Sequence, residues 1–182
     1  MIEIRQLKEK EWQQAMELKI TCWTEELAGK AENDLVLSEQ LDFWVDWMYK
    51  ATDNNDIRVT LGAFEDNELI GVVAGSIAEK TDISEKGIEC NGLYVSSKHR
   101  NRGVSLRLLV YLLNYFQKFG MEHIIIYNHR YAPSNNFYRK FGVKEIRQDI
   151  QVAAGVELLI DVFTIGIDNF KDALTKTLSR YS

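Results

Sequence analysis

The sequence predicts an α/β fold: a mixed, largely antiparallel central sheet of about seven strands, flanked by helices. Three observations carry that expectation. Residues 58–95 read as three strands in succession, separated by turn-forming or polar stretches. A long amphipathic helix then leads to an isoleucine-rich strand. Two further strands follow a short helix and precede a helical tail.

Ile2, Ile4 and Leu7 mark a first short strand. From about Glu11 to Leu27 a helix is expected, because Trp12, Ala15, Met16 and Leu18 lie within helical reach of one another. A second helix starts near Ser38 as N-cap and carries Leu41, Phe43, Trp44, Trp47 and Met48. Arg58 to Phe64 and Leu69 to Ile77 form a hairpin across Glu65-Asp66-Asn67-Glu68. A polar loop, Thr81 to Lys86, leads into a strand from Ile88 to Val95. Strict alternation there sets Glu89, Asn91, Leu93 and Val95 on one face and Cys90, Gly92 and Tyr94 on the other.

Val104 to Phe119 is a helix ended by Gly120, with Leu109, Leu112, Leu113 and Phe116 forming its apolar stripe. His123 to Tyr127 is a buried-type strand. A short helix from about Ser134 to Phe141 closes on Gly142 as a left-handed cap. Strands Val143 to Val152 and Val156 to Ile165 are joined around Ala153-Ala154-Gly155. The tail, Asp168 to Arg180, is an amphipathic helix with Phe170, Ala173, Leu174 and Leu178 on one side. It is left to pack on its own domain or on a second subunit, so monomer and homodimer both stay open.

Nothing linker-like or repetitive divides the 182 residues, and Pro133 is the only proline, so residues 1–182 are expected to form a single domain. A net charge of -5 disfavours nucleic acid as a partner. The start, Met1-Ile2-Glu3-Ile4-Arg5, lacks the apolar core of a signal peptide, and no uncharged apolar run reaches the length of a membrane span. A cytoplasmic protein without a membrane partner is the default expectation. Cys22 and Cys90 give neither metal spacing nor a disulfide framework, and His99, His123 and His129 show no metal spacing. No metal site is expected. Cys90 reads as a small buried residue rather than a nucleophile.

The stretch His99-Arg100-Asn101-Arg102-Gly103-Val104-Ser105 carries the first chemical signal. It places two arginines and a glycine at a helix N-terminus, where unpaired N–H groups and the helix dipole favour an anion such as a phosphate or pyrophosphate. Neither G-x-x-x-x-G-K-(S/T) nor G-x-G-x-x-G is present, so the usual triphosphate and dinucleotide loops are excluded.

Arg100-Asn101-Arg102-Gly103-Val104-Ser105 resembles the acyl-CoA signature (Q/R)-x-x-G-x-(G/A) of the GNAT superfamily of N-acetyltransferases. The order of elements matches too. Tyr138-Arg139-Lys140-Phe141-Gly142-Val143 is similar to the family's Y-x-x-x-G-F, on the expected short helix. The likeness is specific from Leu93 to Val143 and looser elsewhere. Two positions depart: Ser105 replaces a glycine or alanine, and Val143 replaces a phenylalanine.

The resemblance implies acetyl-CoA as cosubstrate. The backbone of Leu93, Tyr94 and Val95 would hold the pantetheine arm. The N–H groups of Arg100, Asn101, Arg102, Gly103, Val104 and Ser105 would cradle the pyrophosphate. Asn128 and Asn135 would touch the cofactor arm, or act only as turn and cap residues. Tyr138 is the implied general acid for the departing thiolate. Glu89 is the candidate base that deprotonates the acceptor amine, directly or through water.

The resemblance also implies that the first two helices and the loop between them shape the acceptor side; acidic and aromatic residues there, including Trp23, Glu25, Glu26, Glu32, Asp34 and Trp47, suit a cationic amine. The expected activity is acetyl transfer to a primary amine by direct attack in a ternary complex, with a small-molecule amine favoured. Acetylation of a protein N-terminus or lysine, and a non-catalytic acyl-CoA-binding module, are the alternatives.

Overall fold

The computed structural model describes residues 1–53, 56–79, 86–153 and 156–181. Within them seven strands form one sheet. In chain order the elements are β1 (Glu3–Gln6), α1 (Trp12–Leu27), α2 (Leu37–Asp53), β2 (Arg58–Glu65), β3 (Glu68–Ile77) and β4 (Gly87–Val95). They continue with α3 (Val104–Gln117), β5 (His123–His129), α4 (Ser134–Lys140), β6 (Lys144–Ala153), β7 (Val156–Gly166) and α5 (Ile167–Leu178). The sheet order is β1-β2-β3-β4-β5-β7-β6. Only β4 and β5 pair in parallel, with α3 as their crossover; every other pairing is antiparallel. The mixed α/β architecture is the one the sequence predicts. Of the expected polar loop only Lys86 is described, and Ala154 and Gly155 of the last turn also lie outside the described residues.

Local chemistry accounts for the main boundaries. Asp66 and Asn67 both take positive φ, 51° and 68°, which closes the β2–β3 hairpin tightly. Glu11 accepts both guanidinium arms of Arg5 at 2.8 Å and the backbone N–H of Lys8 at 2.8 Å, tying β1 to the start of α1. The Arg5 hydrogen bonds hold its carboxyl down at about 2. Gly142 follows α4 at φ 77°, as its cap role requires. Ser38 is not the N-cap of α2, because the helix begins at Leu37.

One face of the sheet packs against α3 and α5. Leu108, Leu109, Leu112, Leu113 and Phe116 of α3 are fully buried there, each such side chain worth about 1.5–3 kcal/mol of burial. Ile167, Phe170 and Leu174 of α5 join the same core, with Leu178 packed at its margin. The tail helix therefore completes its own domain's core. The opposite face carries α1 and α2 through Trp12, Met16 and Trp44, against Val72 and Ala74 of β3. No helix among the described residues is long and apolar enough to cross a membrane.

Candidate active site

The sheet opens where its two parallel strands part. The β4–β5 register runs from Gly87–His123 to Cys90–Ile126, yet β4 continues to Val95 and β5 to His129. A cleft at the carboxyl ends of parallel strands is a favoured place for a ligand.

A bulge at Asn91 redirects β4 at this point. On the β3 side Ala74 pairs with Gly92 and Gly75 with Cys90, so Asn91 is an extra residue. The extra residue shifts the alternation by one. Ile88 and Cys90 now share the α3-side core with Leu93 and Val95, while Tyr94 packs among the α1 and α2 side chains. The expected face of Glu89, Asn91, Leu93 and Val95 is thus broken, and Glu89 lines a cavity with Gly92 and Tyr94.

Two adjoining cavities fill the cleft. The first runs from β4 to the N-terminus of α3, between Leu93, Val95, Asn101, Val104, Ser105 and Phe137. The second lies between β4 and β5, walled by Trp23, Glu89, Asn128, His129 and Tyr138. Glu26, Leu93, Tyr94 and Ser134 line both and mark their junction.

Beyond the bulge, β4 turns backbone without a β5 partner towards the first cavity. Ser96 N–H donates to Ile70 O at 3.0 Å, so alternation turns the groups of Tyr94 towards β3 and those of Leu93 and Val95 towards the cleft. Val95 O confirms the direction, because it accepts from Arg100 Nε at 3.0 Å on that side. An extended, amide-bearing chain could add to this edge as a strand does.

The loop before α3 holds Asn101 and Gly103 at φ 59° and 75°. Arg107 N–H, bonded to Gly103 O at 3.1 Å, is the first to find a carbonyl within the helix. The N–H groups of the preceding turn lack helical partners and suit an anion. The two arginine side chains do not act as loose phosphate charges. Arg100 donates to Glu25 at 2.7 Å, and Arg102 makes a two-armed pair with Glu65 at 2.8 Å. Arg102 faces a separate hollow with Arg107 and Tyr181, away from the first cavity. Gly103 also stays off the first cavity's wall. A Cβ there would meet the Tyr181 ring at 3.2 Å, so the glycine serves backbone shape and tail packing.

Tyr138 is 3% exposed and lies on the wall of the second cavity. Burial pushes its phenol well above the ordinary value, with smaller contributions from Cys90, Tyr94 and Glu26. It therefore keeps its proton. Phe137 and Phe141 pack 4.8 Å apart on the core side, as their spacing predicts, and Phe137 also reaches the first cavity.

Asn128 stands on the cavity wall and donates to Ser134 and Asn135 at 2.7 and 2.8 Å. Asn135 does not reach either cavity. It is buried, and its amide donates to His129 O at 3.2 Å and Asp161 at 3.0 Å, joining α4 to β5 and β7. Burial raises the Cys90 thiol to about 12, which disfavours the thiolate a nucleophile needs.

The C-terminal half of α1 roofs the cleft. Trp23 Nε1 donates to the Tyr94 hydroxyl at 3.2 Å, and Glu26 meets His129 Nε2 at 3.0 Å. His129 is the site residue that sequence spacing misses, because its partner is 103 positions away. Gly92 is fitted to this arrangement: an added Cβ would sit 2.7 Å from the half-buried Tyr94 ring. Gly92→Ala should cost about 1–3 kcal/mol by overpacking. It should also change Trp23 fluorescence as Tyr94 shifts, and thermal melts with emission spectra check both.

Comparison with known proteins agrees with this geometry. The sequence profile of the acetyltransferase (GNAT) family matches residues 12–143. The structure is similar to the PaiA N-acetyltransferase of Thermoplasma acidophilum in complex with coenzyme A (TM-score 0.61, 23% identity, 88% of this chain and 98% of that one). It is also similar to a phosphinothricin acetyltransferase of Sinorhizobium meliloti in complex with acetyl-CoA (TM-score 0.68, 16% identity, 91% and 88%). A ribosomal-protein-alanine N-acetyltransferase of Brucella melitensis gives TM-score 0.67 at 18% identity over 90% and 99%. No curated protein matches the sequence. With the family profile covering most of the chain, the chain belongs to the acetyltransferase (GNAT) family.

Proposed function

We propose that the protein transfers an acetyl group from acetyl-CoA to a primary amine, by direct attack within a ternary complex. The observation that carries this reading is the continuous cleft: β4 backbone at Leu93 and Val95 that pairs with no strand on the β5 side, then the N-terminus of α3, with Tyr138 in the adjoining cavity. The residues present fit acetyl-CoA. The backbone of Leu93 and the N–H of Val95 would bind the pantetheine amides, since Val95 O already accepts from Arg100 and Cys22. The first-turn N–H groups of α3, with Asn101 and Ser105 beside them, would hold the pyrophosphate. Arg100 would border it while fixed to Glu25.

Acetyl-CoA supplies an activated thioester when bound. The chain's own residues do the rest. Tyr138 gives a proton to the departing sulfur, which suits a phenol kept neutral by burial. Glu26 and Glu89 put negative charge on the acceptor cavity, and Trp23 adds an aromatic face. That wall favours a cationic amine, and a small one is the substrate class proposed. Direct attack needs no acyl-enzyme, and burial of the Cys90 thiol, which raises it to about 12, disfavours one there.

The test is a panel of short primary amines, diamines and peptides with free N-termini, followed by release of free thiol from acetyl-CoA. Small amines should be acetylated faster than the peptides. Faster transfer to the peptides would move the substrate class to protein N-termini. Binding of CoA without transfer to any acceptor would make the protein a binding module.

A further inference from the structure

The acetyl group and the acceptor nitrogen must meet where the two cavities join. A group that lines that junction is best placed to take the nitrogen's proton. Of the four side chains lining both cavities, Leu93 is apolar and Ser134 does not ionise near neutral pH. Burial pushes the Tyr94 phenol up, so it too stays neutral. Glu26 alone brings a charge to the junction. Glu89, His129 and the acid Tyr138 line the second cavity only.

Resting on the acetyl-transfer reading, we propose that Glu26 is the general base for the acceptor amine and that His129 is its positioning residue. The imidazole is 3% exposed, with its ring 5.1 Å from that of Trp23. Its Nε2 lies 3.0 Å from Glu26 Oε2, and its buried Nδ1 has no partner among the described residues. A carboxylate only accepts, so the tautomer that fits carries its proton on Nε2 and leaves Nδ1 bare. The main chain is fixed as well, because His129 O accepts from Asn135. One carboxylate oxygen is thereby held, and Oε1 is left for the amine.

The neighbouring charges come from several elements. On α1, Glu25 is bonded to Arg100. Glu89 stands on β4. Asp161 of β7 is bonded to Asn135 and Arg139. Lys30 lies over the Tyr131 ring at 5.5 Å, beside His129. Glu89 then serves to draw the ammonium into the cavity, and Glu26 to deprotonate it.

The proton count closes. The acceptor ammonium gives one proton to Glu26 Oε1, which later releases it to solvent. The freed lone pair forms the C–N bond as the C–S bond breaks. Tyr138 gives its proton to the sulfur and is restored by the second proton leaving nitrogen. The products are the acetamide, free thiol and one proton.

The test compares Glu26→Gln with wild type across pH, using the panel amine that is acetylated fastest, with CoA titration as control. At pH 7 kcat/KM should fall about 100-fold with CoA binding retained. The deficit should shrink as pH approaches the amine's own pKa (about 10.4 for a lysine side chain), where free base needs no help. Glu89→Gln should instead raise the KM for the amine. His129→Gln, which keeps a donor, should retain most activity, whereas His129→Phe should not. A Glu26→Gln deficit equal at every pH, or none at all, would overturn the assignment. Absence of transfer by the wild type would sink the acetyl-transfer reading itself. The ring nitrogens of His129, read by 15N NMR without turnover, then still judge the pair: a proton on Nε2 supports it, and one on Nδ1 overturns it.

Discussion

Tyr138→Phe should lower kcat by about 100-fold while leaving the affinity for acetyl-CoA unchanged. The substitution removes one oxygen from a ring that is already part of the core. Tyr138 packs edge-on against Phe137 at 5.4 Å and at a tilt against Phe163 at 5.9 Å, so phenylalanine fits the same space. What disappears is a proton donor on the wall of the second cavity. Because burial holds that phenol neutral, its own titration should not appear in the wild-type pH profile near neutrality. Single-turnover thiol release, beside calorimetric titration with acetyl-CoA, separates the chemical step from binding. Tyr94→Phe is the control. Its hydroxyl already accepts from Trp23, so its loss should disturb the roof of the cleft more than the proton transfer. If Tyr138→Phe turns over normally, the acid lies elsewhere.

The features legible in the sequence are those with short-range physical causes. The apolar stripe of α3, the isoleucines of β5 and Gly142 each announce their element through local periodicity or backbone shape. The helix-start loop and Tyr138 are legible for the same reason, since each is fixed by a few neighbouring residues. The faces of β4 are not. Alternation holds only until an extra residue enters the ladder, and Asn91 enters because of how β3 pairs opposite it. The arginines misled in a related way. Charge at a helix N-terminus suggests an anion, but Glu25 and Glu65 arrive from distant segments and engage both guanidinium groups. Asn135 reads as a cofactor contact until β7 brings Asp161 beneath it. Glu26 is visible as one of many acids, whereas its meeting with His129 depends on α1 crossing the gap between β4 and β5.

Gly103→Val should weaken CoA binding by about fivefold to thirtyfold and lower the melting temperature as well. Gly103 sits at φ 75° and ψ 10°, immediately before the first residue of α3. A residue with a Cβ pays about 1–2 kcal/mol in that conformation, and a β-branched one is a worse fit. If the loop relaxes to escape the strain, the first-turn N–H groups lose the orientation that suits a pyrophosphate, and 1.4 kcal/mol is already a tenfold loss. The second cost comes from the tail. The new Cβ would press on the Tyr181 ring at 3.2 Å and on Leu178 at 3.5 Å, and Leu178 packs against the main core. Gly103→Asn tells the two costs apart, because asparagine tolerates positive φ yet still carries a Cβ. It should keep most of the CoA affinity while losing some stability, and a further Tyr181→Ala change should return that stability. Calorimetric titration with CoA and thermal melts measure the two quantities independently. An asparagine variant as poor in CoA binding as the valine one would make the tail contact, rather than the backbone conformation, the device that shapes the loop. A valine variant with normal CoA affinity would remove the loop from the cofactor site.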